Sequence, residues 1–432
     1  MLTYYLDLAR RSLRRSPALT TLMVVTMAFG VAASMTTLTV LRVLSADPIP
    51  GKSQDLYYVQ LEPRYAAGYV VGEAPPIQLS RFDSETLLRA RRADRQAMMT
   101  SGNAAIQPQR AGLAPFSVDA RWTSADFFVM FSVPFLAGGQ WTAEDDASAA
   151  RVAVITRALA EKVFGSVNAV GQGLRIGDNE LRIVGIIDDW RPAPRFYDLT
   201  DAFGAGEQLY IPFSTSRELR LKATGQLNCW GGDVPDPEAV NAPCEWIQFW
   251  VELDSKAKAA AYREFLINYS TDQKTAGRFF RPPNVQLRNV DEWLEFRQVV
   301  PRDVRMQTWI AFGFLLVCLV NTVGLLLTKF LRRSAEIGVR RALGASKRAI
   351  FVQLLVESGM IGFAGGLLGV GLAWLGLWAV RHQPTAYAEL AELDLVMLVT
   401  TFALAIASSL LAGVLPAWRG CQVAPAIQLK SP

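Results

Sequence analysis

A single histidine, His382, stands in 432 residues. Catalytic triads and most protein zinc sites draw on imidazole, so those chemistries have almost no raw material. Net charge is small as well, +5 from 44 Lys and Arg against 39 Asp and Glu. The basic residues crowd the edges of apolar runs and form no extended stripe, which excludes the electrostatic footprint of a nucleic-acid binder. No G-x-x-x-x-G-K-(S/T) run occurs, so the chain cannot by itself cradle the phosphates of ATP. Two adjacent acidic pairs, Asp145-Asp146 and Asp188-Asp189, offer no better prospect. Neighbours on a strand face opposite sides, and both pairs read as turn or strand-end residues. No catalytic residue and no metal ligand is expected.

Long apolar runs are abundant, in a chain that is 51% hydrophobic yet 19% charged. Four segments reach the roughly 20 apolar residues that a bilayer span requires. They are residues 18–44, 307–331, 349–380 and 395–418, and a buried soluble helix is rarely so uniform for so long. Arg42 and Lys329 stand at span ends, and within the cores only Glu357 carries a full charge. It lies near one end of the third span, where it would snorkel or bind a basic partner.

Flanking Lys and Arg set the expected orientation. Arg10, Arg11, Arg14 and Arg15 precede the first span, and seven basic residues from Lys329 to Arg348 lie between the second and third. Arg419 and Lys430 follow the fourth. The loop at 381–394 mixes Arg381 with Glu389, Glu392 and Asp394. Both termini, the loop at 332–348 and the tail at 419–432 are therefore expected in the cytoplasm, with 45–306 outside. A cleaved signal peptide is the rival reading of the N-terminus, but the apolar run exceeds an ordinary signal core and no small-x-small site follows. Residues 1–17 fit better as an interfacial amphipathic helix, with Leu2, Leu6, Ala9 and Leu13 on one face toward membrane lipids.

Residues 45–288 read as a mixed α/β domain. Alternation predicts strands at Tyr57–Leu61, Phe116–Trp122, Leu181–Ile187 and Ile247–Leu253. Helical patterns occupy Ser84–Arg95, Ser124–Phe131, Thr156–Phe164 and Ser255–Tyr269. From about 192 to 245 the chain turns rich in Gly, Pro and Asp, as an irregular inserted subdomain would. Cys229 and Cys244 both fall there. Outside the cytoplasm they are a candidate disulfide, with unpaired thiols as the alternative. Residues 289–306, with Trp293, Phe296 and Val300 at helical spacing, suggest a stalk that Pro301 kinks. The fold class is thus an α-helical membrane protein with four transmembrane helices plus a large mixed α/β domain outside the cytoplasm, inserted between helices 1 and 2.

The loop at 332–348 carries more pattern than positive charge alone demands. Ser334 suits an N-cap, Glu336 the first turn, and Gly344 a C-terminal stop. Glu336 and Arg340 pair at i,i+4, and Ser346 caps the third span. Ala335, Val339, Ala342 and Leu343 share a face. In the third span Gly362 with Gly366, and Gly365 with Gly369, are small-xxx-small pairs that admit close helix approach. Packing inside the bundle and a dimer seam are both open for them.

The run RRSAEIGVRRALGASKRAIFVQLLVESGMIGFAGGLLGVGLA resembles the signature of FtsX-like permeases of the MacB type of ABC transporter. Glu336 to Ala345 carry its E-I-G-(I/V)-R-(K/R)-A-L-G-A core, followed by Gln353, Leu355, Glu357 and the glycine run to Gly371. PAWRGCQVAPAIQLK resembles the family's ending, departing at Gly420 and Gln428. The segments SADFFVMFSVPFLAGGQWTAEDD and RVAVITRALAEKVFGSVNAVGQGLRIGDNELRIVGIIDD resemble the MacB-like periplasmic core domain. The resemblance implies a bacterial inner-membrane permease subunit, with its inserted α/β domain periplasmic, that pairs with a separate cytosolic ATPase. Glu336, Ile337, Gly338, Val339, Arg340, Arg341, Ala342, Leu343, Gly344 and Ala345 would receive the ATPase. No cofactor is expected on the chain itself; ATP and Mg²⁺ would sit on the partner. It further implies a dimer, with a second copy or a paralogue, and mechanotransmission to the periplasmic domain. Export with a periplasmic adaptor and an outer-membrane channel is the expected use. Regulation of a cell-wall hydrolase and lipoprotein release are the alternatives.

Overall fold

The structure is a computed structural model, described here for residues 2–110, 112–383 and 395–422. Most of the expected loop at 381–394 and most of the tail at 419–432 lie outside the described residues. The chain divides into a helical unit, residues 1–45 with 300–432, and an α/β unit, residues 46–299.

Four helices of the helical unit are long and apolar enough to cross a membrane: Pro17–Leu44, Arg302–Arg332, Lys347–Arg381 and Leu395–Cys421. Pro17 stands at the start of the first, where its missing N–H leaves no bond unmade. Glycine decides how these spans meet. A Cβ on Gly362 would come within 2.5 Å of Ser409 Cβ, and one on Gly366 within 3.1 Å of Ala405 Cβ, both on the fourth span. Gly365 and Gly369 face the first span instead, at Met27 and Ala28. These four glycines are buried against helices of the same chain. Polar groups close the seams: Ser34 donates to the Ala311 carbonyl at 3.1 Å, and Ser409 donates to the Ser358 carbonyl. The outward faces stay apolar and open, with Trp309, Leu316, Val320, Leu367 and Trp374 more than half exposed. Lipid is the natural solvent for such faces.

The N-terminal helix, Leu2–Arg15, leaves part of its expected lipid-facing side open and packs another part against the third span. Ala9 and Ser12 are buried, whereas Leu6 is exposed.

In the α/β unit, 13 strands form one sheet. Its main path runs, in space, through Gln286–Asn289, Leu56–Gln60, Cys244–Glu252, Arg95–Ile106, Phe116–Thr123, Leu209–Pro212, Val152–Thr156, Asn179–Ile187 and Phe135–Gly138. Two neighbouring pairs are parallel, Phe116–Thr123 with Leu209–Pro212 and Val152–Thr156 with Asn179–Ile187. The four alternating segments are strands; three lie within two residues of their expected ends, and the fourth, Cys244–Glu252, starts three residues early.

Three expectations need correction. The helix expected at Ser84–Arg95 is Arg81–Ala90, because Ser80 caps it and Arg91 leaves it in a left-handed conformation. Arg95 instead opens a 12-residue strand buried on both faces through its middle, which erases alternation. Residues 192–245 are not simply an irregular insertion. Leu209–Pro212 is a central strand there, fully buried and too short to show a period. Nor do residues 289–306 form a stalk. Val290–Phe296 is a capped helix whose Trp293 is buried in the α/β unit, and Pro301 begins the second span's helix rather than kinking it.

One buried charge anchors the irregular segment. Arg121, fully buried in its strand, donates to Asp198 at 2.7 Å and pairs with Glu207, which also accepts from the Tyr197 hydroxyl. Burial alone would raise the Asp198 carboxyl, but the Arg121 guanidinium holds it below the ordinary carboxylate range. Cys229 and Cys244 are disulfide-bonded across two paired strands.

Glu245, next to that bridge, has one oxygen held by Asn228 and the other without a partner. Burial pushes its carboxyl from 4.5 up to about 7. Ionisation is thus harder in the folded chain than in the unfolded one, and stability falls as pH rises from 4.5 through about 7. Asp146, pushed up to about 6 by burial, adds to the same slope. Glu245→Gln should flatten the slope and gain on the order of 2–3 kcal/mol at pH 8. Urea denaturation of both proteins at pH 5 and pH 8, followed by tryptophan fluorescence, checks this; parallel slopes would refute it.

Candidate functional site: a loop helix tied to a buried carboxylate

The segment between the second and third spans is a helix, Ser334–Ala342. Its start differs from expectation. Ser334 is the first helical residue and Arg333 occupies the cap position without a capping side-chain bond. The span ends at Arg332, leaving one residue between the two helices and no room for a separate capping turn. Its end follows from Gly344, at φ +100°. Ala345 N–H donates to the Arg340 carbonyl and Gly344 N–H to the Arg341 carbonyl, each at 3.1 Å. This pair of bonds is a Schellman closure, which an L side chain at Gly344 would strain. Ser346 then accepts from Ala349 N–H and caps the third span.

One face of this helix is anchored. Ile337 and Gly338 are buried, Ile337 among Phe330, Ile350 and Leu354. Arg340 reaches Gln353 at 3.1 Å on the third span and Glu336 at 2.8 Å. Glu336 also takes Arg333 at 3.1 Å and, from the N-terminal helix, Arg15 at 3.3 Å. Burial raises the Glu336 carboxyl, but Arg333, Arg340 and Arg15 together bring it below its ordinary value. The opposite face is bare. Val339 is 51% exposed and Leu343 83%. Ala345 and Arg341 continue the segment, Arg341 reaching the Cys421 carbonyl at 3.4 Å.

The side chain that organises these contacts is Glu357. It is wholly buried and does not snorkel. Lys329 Nζ, itself buried, lies 2.7 Å from one carboxylate oxygen, and Ser12 donates to the same oxygen at 2.6 Å. Arg333 approaches the other oxygen at 3.4 Å and also bonds Ser12. Three helices and the link to the fourth thus converge on one carboxylate. In sequence Lys329 stands among the flanking basic residues, where positive-inside bias alone accounts for it. A lysine one turn inside the end of a span, with an acid near the matching end of another, is the signal that was present.

The expected glycines contribute elsewhere, in the seams with the first and fourth spans. The disulfide lies in the other unit. Among the described residues no cluster of His, Cys, Asp or Glu could hold a metal ion.

A four-span helical membrane protein with an α/β domain inserted after its first helix, and a clamped loop helix between its second and third, is the architecture of an ABC transporter permease. The chain belongs to the MacB-like family: residues 20–268 match the MacB-like periplasmic core domain and residues 309–425 the FtsX-like permease C-terminal. It is similar to the macrolide export ATP-binding/permease protein MacB of Azoarcus sp. (strain BH72), 25% identical over 72% of this chain and 42% of that protein. It is also similar to the pyoverdine export ATP-binding/permease protein PvdT of Pseudomonas aeruginosa, 23% identical over 85% of this chain and 50% of that protein. The chain spans about half the length of the curated relatives it matches. Among solved structures it is similar to the periplasmic region of MacB from Actinobacillus actinomycetemcomitans, with 13% identity and a TM-score of 0.38 over 60% of this chain and 98% of that one.

Breaking a buried ion pair from one side costs far more than replacing both partners by apolar groups. Glu357→Ala is therefore expected to destabilise the helical unit by about 3–5 kcal/mol, and Lys329→Met with Glu357→Leu to recover most of that. Equal losses for the single and double variants, in a detergent unfolding titration, would remove the pair from its organising place.

Proposed function

We propose that this chain is the permease subunit of an ABC exporter, with Ser334–Ala342 as the docking helix for a separate cytosolic ATPase. The observation that carries the proposal is the division of that helix. One face is fastened to the spans through Ile337, Arg340 and the Glu357 cluster, while Val339 and Leu343 stand bare. An anchored helix with an open apolar edge passes a push to its anchor, where a loose loop would absorb it. ATP and Mg²⁺ belong to the partner, and this chain contributes no phosphate-binding loop.

In this reading both termini and the loop helix are cytoplasmic, in keeping with their arginines and lysines. The α/β unit then lies on the far side, in the periplasm of a bacterium. Motion started at the loop helix travels through the packed spans, and the chain entering at Ser45 and returning at Val300 delivers it to the α/β unit. Close glycine packing supports such transmission, because densely packed helices move as bodies. Few polar groups line the spans, which argues against a solute path between them. Two permease chains, identical or paralogous, flank the ATPase pair, and an adaptor with an outer-membrane channel completes the route.

Export itself is carried over from the relatives, whose names specify macrolide, pyoverdine and syringafactin export. Those cargoes share little chemistry, so the mode of action transfers and the cargo does not.

Co-purification with its cytosolic ABC ATPase, trapped in the nucleotide-bound state, tests the proposal. The wild type should retain the ATPase. Leu343→Asp should lose at least about ten-fold of it, because an apolar contact is replaced by a buried charge, while the permease remains folded. Undiminished recovery with Leu343→Asp would refute docking on this face, and no recovery with the wild type would refute the permease assignment.

A further inference from the structure

Beside the aromatic core of the α/β unit lies a cleft of about 270 Å³. This is near the lower end of the volume that small-molecule sites occupy. Its composition is unusual for a packing defect. Tyr58 and Trp293 stack with ring centroids 3.9 Å apart, and Tyr197 closes another side, all three almost fully buried. Against these rings stand two glutamines, Gln78 and Gln248, only 5% and 6% exposed. Each has a buried amide oxygen without a hydrogen-bond partner. Burying such an acceptor unpaired is unfavourable, and here it happens twice in one small space.

The cleft also holds a cation. Arg297 lines it, with its guanidinium 5.4 Å from the Trp293 ring centroid. Among the described residues it has no carboxylate within ion-pair distance. The acidic group in the lining, Asp198, has both oxygens engaged, one by Arg121 and Ser101 and the other by Thr200 N–H. A guanidinium over an aromatic face keeps its in-plane N–H donors available for a planar anion. No described residue supplies that anion.

We propose that the cleft binds a small carboxylate that also carries hydroxyl or amide groups. Arg297 pairs with the carboxylate. Gln78 and Gln248 exchange hydrogen bonds with the hydroxyl or amide groups, and the Tyr58–Trp293 stack forms the apolar wall. Sugar acids and acylated amino acids share this chemistry. The site stands independently of ATPase docking, since it lies wholly within residues 46–299. Arg297 nonetheless belongs to the segment that leads into the second span at Arg302, so whatever it grips touches the chain on its way to the membrane.

Calorimetric titration of the full chain in detergent micelles tests the proposal with D-glucuronate and N-acetyl-L-alanine as probes. D-Glucose and N-acetyl-L-alanine amide serve as their neutral counterparts. At least one acid should bind saturably in the micromolar to millimolar range, at least about ten-fold more tightly than its neutral counterpart. Which acid binds identifies the source. Arg297→Gln should erase the preference for the acid, Arg297→Lys should restore part of it, and Gln248→Leu should weaken the acid that binds. A circular dichroism spectrum matching wild type shows that each variant is folded. The proposal is overturned if no probe binds saturably below about 10 mM, if acid and neutral probes bind alike, or if Arg297→Gln leaves binding of the acid unchanged.

Discussion

A carboxylate taken out of water into an apolar bundle must be neutralised in place, and Glu357 shows what that demands. The cost of stranding such a charge is several kcal/mol even after relaxation. Lys329 answers the charge, while Ser12 and Arg333 occupy the remaining lone pairs. Each of these groups comes from a different stretch of chain. The N-terminal helix must lie where Ser12 can reach, the second span must present Lys329 at the right height, and the turn into the loop helix must bring Arg333 back. Satisfying one acid thereby fixes the register of three helices and the entry angle of a fourth.

Close packing makes that register rigid. The third span can approach its neighbours because Gly362 and Gly366 admit the fourth span while Gly365 and Gly369 admit the first. Its glycines form two stripes rather than one, so the helix is wedged between two partners instead of leaning on a single one. The α/β unit repeats the same logic with the opposite sign. There a buried cation, Arg121, gathers Asp198 and Glu207 from a segment with little regular structure and ties it to the sheet. In both units one buried charge organises chain that local propensity leaves undecided.

How much of this was legible depended on whether a feature repeats along the chain. The four spans and four of the strands announce themselves by period and length. The loop helix is visible through Glu336, Arg340 and Gly344, and the pairing of Cys229 with Cys244 through compartment and proximity. Pairings between distant residues leave no period. Lys329 resembles in sequence the basic residues that flank a span, with only its place one turn inside the helix end to set it apart, and geometry alone names its partner. Leu209–Pro212 is too short to alternate, and Arg95–Ile106 is buried on both faces from Gln96 to Thr100, which hides its alternation there. Trp293, read as part of a stalk, turned out to be core because its ring stacks on Tyr58 from the far end of the domain. The cleft was invisible for the same reason: Gln78, Gln248 and Arg297 come from three separate regions.

The third span is also longer than a membrane is thick. Its 35 residues, Lys347–Arg381, measure about 52 Å at 1.5 Å each, against a hydrocarbon layer of about 30 Å. Upright, the helix would leave roughly 20 Å outside the oil; slanted, it would leave less. Glu357 lies about 15 Å from the helix start at Lys347, inside the stretch that tilt either submerges or releases. Bilayer thickness therefore governs how deep the ion pair sits. The pair's dryness does not depend on that depth: the helices themselves enclose Glu357 and Lys329, so the protein carries its own low-dielectric pocket into a thin membrane as into a thick one.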